Sequence, residues 1–169
     1  MSTFETLPFY RGVSDRYPAD RPSIHTPRLD RRPRNSAAFF HTTADEWFHK
    51  KFGIRYRSQG LLLTSRFLSA STYAGPSGRV MRILPLSHYR FCWSPNVSDL
   101  LFTANQLAEE TSERIGEHLD SLNFVESDLI GAHECGHEVM LHCDRYVAIP
   151  TNLLDLPSDQ DKPRILLPA

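Results

Sequence analysis

The sequence predicts an α+β domain built on a mostly antiparallel sheet with flanking helices. Two observations carry that expectation. Segments follow one another as strand, helix, strand, helix, strands, helix, strands, and 169 residues is about one domain, enough for a real core. The domain is expected over residues 1–150, with 151–169, which contains SDQDKPR, as a polar, Pro-containing C-terminal tail.

The aromatic and apolar run TLPFYRGV reads as a first strand ending near Gly12. The segment from Arg11 to Arg34 holds Arg16, Arg21, Arg28, Arg31, Arg32 and Arg34, interleaved with four prolines. It is either a solvated, irregular loop or a basic rim for a phosphate-bearing ligand or nucleic acid, because guanidinium groups bind phosphate bidentately. TADEWFHKKF carries a complete helix signature, with Thr43 as N-cap, Asp45 and Glu46 in the first turn, Lys50 and Lys51 in the last, and Gly53 as the stop. GLLLTS is a buried-type strand running into RFLSASTYAG, a short helix stopped by Gly75 and Pro76. RVMRILPLSHYRFCWS alternates as one strand interrupted at Pro85, or as two. SDLLFTANQLAEETSERIGEHLDSL is the clearest helix, capped by Ser98, its apolar residues from Leu101 to Leu122 recurring at steps of three and four. EVMLHC and RYVAIP are the final strands.

Composition excludes several classes. Lys and Arg number 19 against 20 Asp and Glu, so no global charge draws the chain to nucleic acid or membrane. No apolar run approaches the roughly 20 residues of a membrane span. No secretory signal opens the sequence. Cys92, Cys135 and Cys143 are odd in number, which argues against a disulfide framework and fits a reducing cytosol. A cytoplasmic location is expected.

The stretch GAHECGHEVMLHCDRYVAI supports two incompatible chemistries. His133-Glu134-x-x-His137 has the spacing that presents two imidazoles to zinc from one helix face, with Glu134 polarising a bound water. A zinc hydrolase needs the helix to continue, yet EVMLHCDRYVAI is rich in strand formers. The third ligand is also poorly placed, since Cys143 falls where a histidine belongs, with His142 one residue off and Asp144 a non-standard choice. The expected answer is therefore no metal site.

FYRG, GLLLTSRFLSASTYAG and HEVMLHCDRYVAI, in that order, resemble the mono-ADP-ribosyltransferase superfamily, in its bacterial and phage branch with an Arg–Ser–Glu triad. The resemblance runs from Phe9 to Ile149, although only about 30 residues carry it. It implies a split, mostly antiparallel sheet, with NAD as the substrate. Carried over by position, Arg11, with Gly12 beside it, would bind NAD at its phosphate and ribose. Thr64 and Ser65 would lie beneath the nicotinamide ribose and help hold the catalytic carboxylate, Glu138. Phe67 or Tyr73 would stack on nicotinamide. A carboxylate suits a reaction whose transition state puts positive charge on the ribose, and a cation suits the pyrophosphate.

The chain departs from the family at two points. Leu63-Thr64-Ser65 stands where the family has Ser-Thr-Ser, and Gly136 stands where arginine-modifying members carry an acid. The resemblance implies transfer of ADP-ribose to a macromolecular acceptor, protein or nucleic acid, by a toxin, effector or phage-borne modifier, with a cognate antitoxin or immunity protein as a further partner. Read without the resemblance, Arg11 is a surface charge ending a strand, Glu138 is an edge-strand charge, Ser65 is a helix cap and Tyr73 is core. A non-catalytic binding or inhibitor module then stands beside the zinc protease as an alternative.

Overall fold

Two antiparallel sheets frame the computed structural model, which describes residues 3–32 and 37–153. In chain order the elements are β1 (Tyr10–Val13), β2 (Ser23–His25), α1 (Ala38–Phe52), α2 (Tyr56–Gln59), β3 (Leu61–Leu63), α3 (Phe67–Ala74), β4 (Arg79–Pro85), β5 (Tyr89–Trp93), α4 (Leu100–Gln106), α5 (Ser112–Ser121), α6 (Leu129–Cys135), β6 (Val139–Cys143) and β7 (Tyr146–Pro150). A 3-10 turn follows at Thr151–Leu153. One sheet has the order β1-β4-β7-β2 and the other β3-β6-β5. The chain is α+β, as the sequence predicts.

The burial pattern explains the layering. Successive strand residues point to opposite faces. On β6, Val139, Leu141 and Cys143 pack with Phe9, Val13, Met81, Ile83 and Ala148 of the first sheet, while Met140 turns the other way. Met140 meets Phe40, Ala44 and Phe48 of α1 and Ile115 and Leu119 of α5. β6, in the middle of the second sheet, is thus covered on both faces, which is why VML reads as a continuous apolar run. A bridge between Tyr10 and Thr64 joins the sheets, with backbone hydrogen bonds of 2.7 and 3.0 Å.

Several boundaries differ from expectation. The first long helix begins five residues before Thr43 and has no side-chain cap at Ala37, so Thr43, Asp45 and Glu46 are interior positions. Its C-cap, Gly53, is left-handed at φ 76°. The helix expected from Ser98 to Leu122 is two helices. Asp99, not Ser98, caps the first, and Thr111 caps the second through the Arg114 N–H. RVMRILPLSHYRFCWS is two strands, the second of the two arrangements expected, with one strand in each sheet. The segments β2, α2 and α6 were not anticipated. Of the expected tail, only the first turn is described, where Thr151 Oγ1 donates to the Val80 carbonyl at 3.0 Å. Residues 154–169 and Arg34 lie outside the described residues.

Candidate functional site

Glu138 sits immediately before β6. Leu63 and Trp93 both pair with Val139, so one step back along β6 places Glu138 level with Thr64 on one side and Ser94 on the other. Its N–H donates to the Ser98 carbonyl at 2.8 Å, and its side chain is 14% exposed. Burial raises its pKa above the ordinary carboxylate value. Arg57 opposes that shift, Asp99 adds to it, and Arg31 and the Leu100 backbone oppose it.

Thr64 and Ser65 reach the same region but do not touch the carboxylate in the hydrogen-bond network. Thr64 Oγ1 donates to the Gly136 carbonyl at 3.0 Å, and Ser65 Oγ to the His133 carbonyl at 2.6 Å. Thr64 Oγ1 also accepts the Arg66 N–H at 3.0 Å. The two hydroxyls therefore position the turn that delivers Glu138, acting through the backbone. Ser65 is not the helix cap, which falls at Arg66.

Arg11 leaves β1 on the face opposite Tyr10, because Tyr10 packs with Phe67 and Ala70 of α3. Its charge acts on His25 and Tyr146, and on Arg31. Gly12 has a packing role. A Cβ there would lie 2.2 Å from the Ala70 carbonyl oxygen and 2.5 Å from the Ala74 nitrogen, so only glycine lets α3 approach β1 this closely. Phe67 meets Tyr10 edge-on at 5.9 Å and is partly buried by it. Tyr73 is 61% exposed, and its hydroxyl donates to the Asp99 carboxylate, which also caps α4. Tyr73 is thus an exposed ring tethered to Asp99, whose charge acts on Glu138, and not a core residue.

The residue that sequence reasoning missed is Arg57. Its side chain is 6% exposed and Nη1 lies 3.4 Å from Glu138 Oε1. Two neighbours brace it. Asp45 Oδ1 accepts the N–H groups of Arg57 and Ser58 at 3.0 and 3.1 Å, and Asp45 Oδ2 accepts the Ser58 hydroxyl at 2.5 Å. Arg31 donates from Nε and Nη2 to the Arg57 carbonyl at 3.1 and 2.6 Å. Burial, Arg57 and Arg11 push the Arg31 pKa down to about 10, against the pull of Glu138 and Asp45. No motif flags Arg57, which lies in the single-turn helix α2; the Arg-rich run that includes Arg31 was the only sequence signal.

The zinc spacing is not realised on one helix. α6 ends at Cys135, and Gly136 caps it in the left-handed region at φ 72°. His137 lies beyond that turn, its Nδ1 2.9 Å from the Ser94 carbonyl, while His133 packs edge-on against Phe9 at 5.5 Å. Among the described residues no group of His, Cys, Asp or Glu has the arrangement of a metal site. A separate recess of about 310 Å³ is lined by Ser65, Arg66, His133 and Glu134. Also among the described residues, no helix is long and apolar enough to cross a membrane. Comparison with protein-family models, curated proteins and solved structures finds no match to this chain.

Proposed function

We propose that the protein is an NAD-dependent mono-ADP-ribosyltransferase that moves ADP-ribose to a macromolecular acceptor, as a toxin, effector or phage-borne modifier acting in a cytoplasm. The observation that carries this reading is the part-buried Glu138 at the start of β6, 3.4 Å from Arg57 Nη1, with Thr64 and Ser65 pinning the turn before it. In this reading Arg11 anchors the NAD phosphates by charge-assisted hydrogen bonds. Glu138, in a water-poor position, faces the ribose and stabilises the positive charge that develops as the nicotinamide bond breaks. Tyr73 offers its exposed ring to the nicotinamide. A cognate antitoxin or immunity protein is the partner such an activity calls for.

Nicotinamide release from NAD, measured with cell extract as acceptor, tests the reading. Glu138→Gln keeps size and hydrogen bonding but loses the charge, and should lower the rate on the order of 10²–10³ with the fold intact. Glu134→Gln, on the exposed side of α6, should leave the rate unchanged, whereas a zinc hydrolase would lose its general base there. A dead Glu134→Gln beside an active Glu138→Gln would reverse the conclusion.

A further inference from the structure

We propose that Arg57 is the positioning residue of Glu138, fixing the aim and the charge of its carboxylate, a task the resemblance gives to Thr64 and Ser65. The reaction it serves rests on the ADP-ribosyltransferase reading; the ion pair itself does not.

The two hydroxyls are engaged elsewhere. Thr64 Oγ1 donates to the Gly136 carbonyl and Ser65 Oγ to the His133 carbonyl. A hydroxyl has one proton to donate and an ionised carboxylate only accepts, so neither hydroxyl has a donor left for Glu138. Leu63, one position earlier, is apolar and buried. Among the described residues, the one side chain that bonds to the Glu138 carboxylate is Arg57, through Nη1 at 3.4 Å.

Arg57 is placed through its backbone. It is the second residue of α2, a four-residue helix with no side-chain cap at Arg55. Asp45 of α1 supplies what the cap does not, accepting the N–H groups of Arg57 and Ser58 and the Ser58 hydroxyl. Arg31 holds the other end of the peptide unit, donating to the Arg57 carbonyl from Nε and Nη2. Residues 58–60 alone separate Arg57 from β3, whose Leu63 pairs with Val139 of β6. Glu138 is fixed from its own side by the bond from its N–H to the Ser98 carbonyl. Two restrained backbones thus decide where guanidinium and carboxylate meet. Their side chains are 6% and 14% exposed. With so little water nearby, a carboxylate that loses its partner takes up a proton more readily.

The surrounding charges leave that role to Arg57. Burial is the largest influence on Glu138 and raises its pKa; Arg57 is the largest opposing one, ahead of Arg31 and the Leu100 backbone, while Asp99 at the head of α4 adds to the rise. From α1, Asp45 is bound to the α2 backbone, and His41 has its pKa lowered by burial, Arg57 and Arg31 against the pull of Asp45, which keeps it neutral at physiological pH. The flanking strands bring the uncharged Thr64 and Ser94 level with Glu138, and His137 turns its Nδ1 to the Ser94 carbonyl.

The test uses the full chain and two readouts. Carbon NMR of the Glu138 carboxyl, assigned against Glu138→Gln, follows its titration without NAD. Nicotinamide release gives kcat and KM over the same pH range. In Arg57→Gln, checked for wild-type fold by circular dichroism, the titration should move up by about one pH unit or more, and the acid limb of kcat with it. At neutral pH kcat should fall about tenfold with KM for NAD within about twofold of wild type, and alkaline pH should recover part of the loss. Arg57→Lys keeps the charge without the planar fork and should bring the titration back towards wild type, which keeps the test decisive if the glutamine variant does not fold. Ser65→Ala, which loosens the turn, should leave the titration at its wild-type position. An unmoved titration in Arg57→Gln overturns the proposal, and so does a moved titration with kcat unaffected. A rise in KM in place of the fall in kcat also overturns it, because Arg57 would then bind substrate. A titration that follows Ser65→Ala and not Arg57→Gln returns the role to the hydroxyl. A titration moved by Arg57→Gln in a chain without NAD turnover supports the ion pair and sinks the transferase reading; NAD turnover with an unmoved titration does the reverse.

Discussion

At the scale of single residues, Glu138 carries two opposed demands. Burial raises its pKa, and the attraction of Arg57 recovers only part of that shift. A carboxyl whose folded pKa exceeds its unfolded value contributes stability below the unfolded pKa, about 4.3. That contribution is lost as the pH rises through the folded value, because the unfolded chain gives up its proton first. Glu138→Gln cannot ionise, so it should melt with wild type in acid and above wild type at neutral pH. Thermal melts across the acidic-to-neutral range check this, and a variant less stable than wild type at neutral pH would mean that Arg57 outweighs burial. In the proposed transferase reaction activity has the opposite sign, since the ionised carboxylate would be the working form. The acidic limb of the kcat/KM profile should therefore lie above the ordinary glutamate range. Stability and activity trade against each other at one side chain.

At the scale of elements, contacts between backbones decide the geometry. Gly12→Ala would drive a methyl into the Ala70 carbonyl and the Ala74 nitrogen, and neither atom can move without α3. The expected cost is about 1–3 kcal/mol, read as a lowered denaturation midpoint, with NAD turnover falling as α3 and Tyr73 shift away from Glu138. Unchanged stability would show that α3 slides freely on β1. The same scale separates what was legible in the sequence from what was not. The α3 helix, the strands after Glu138 and the Gly53 stop are legible because apolar pattern and glycine breakers agree locally, although the expected N-caps at Thr43 and Ser65 do not form. The break between α4 and α5 was hidden because Leu107 and Ala108 continue the apolar period across it, so periodicity outvoted the Thr111 cap. Arg11 and Glu138 enter as candidates from ordered motifs. Arg57 does not, since its role comes from Asp45 on another helix and Arg31 on a loop, and no local pattern encodes such a meeting.

At the scale of the whole molecule, the site depends on two sheets holding one register. Phe9, Val13, Met81 and Ile83 of the first sheet region share a core with Leu61, Leu63, Val139 and Leu141 of the second. The Tyr10–Thr64 bridge fastens the seam beside Arg11. Neither sheet can bury that apolar layer alone, so the two should unfold together, with calorimetric and van't Hoff enthalpies equal. A ligand held between groups from both sheets stabilises that single transition by mass action, about 2.7 kcal/mol at a hundredfold excess over Kd. NAD should therefore raise the melting temperature of wild type in a concentration-dependent way. Glu138→Gln should still respond, because it loses transition-state charge and not the phosphate anchor. Arg11→Ala should respond only at much higher NAD, since the anchor is gone while both sheets remain. Calorimetry of the three proteins across an NAD series decides the matter. An NAD response that survives intact in Arg11→Ala would overturn the assignment of the phosphate anchor to Arg11.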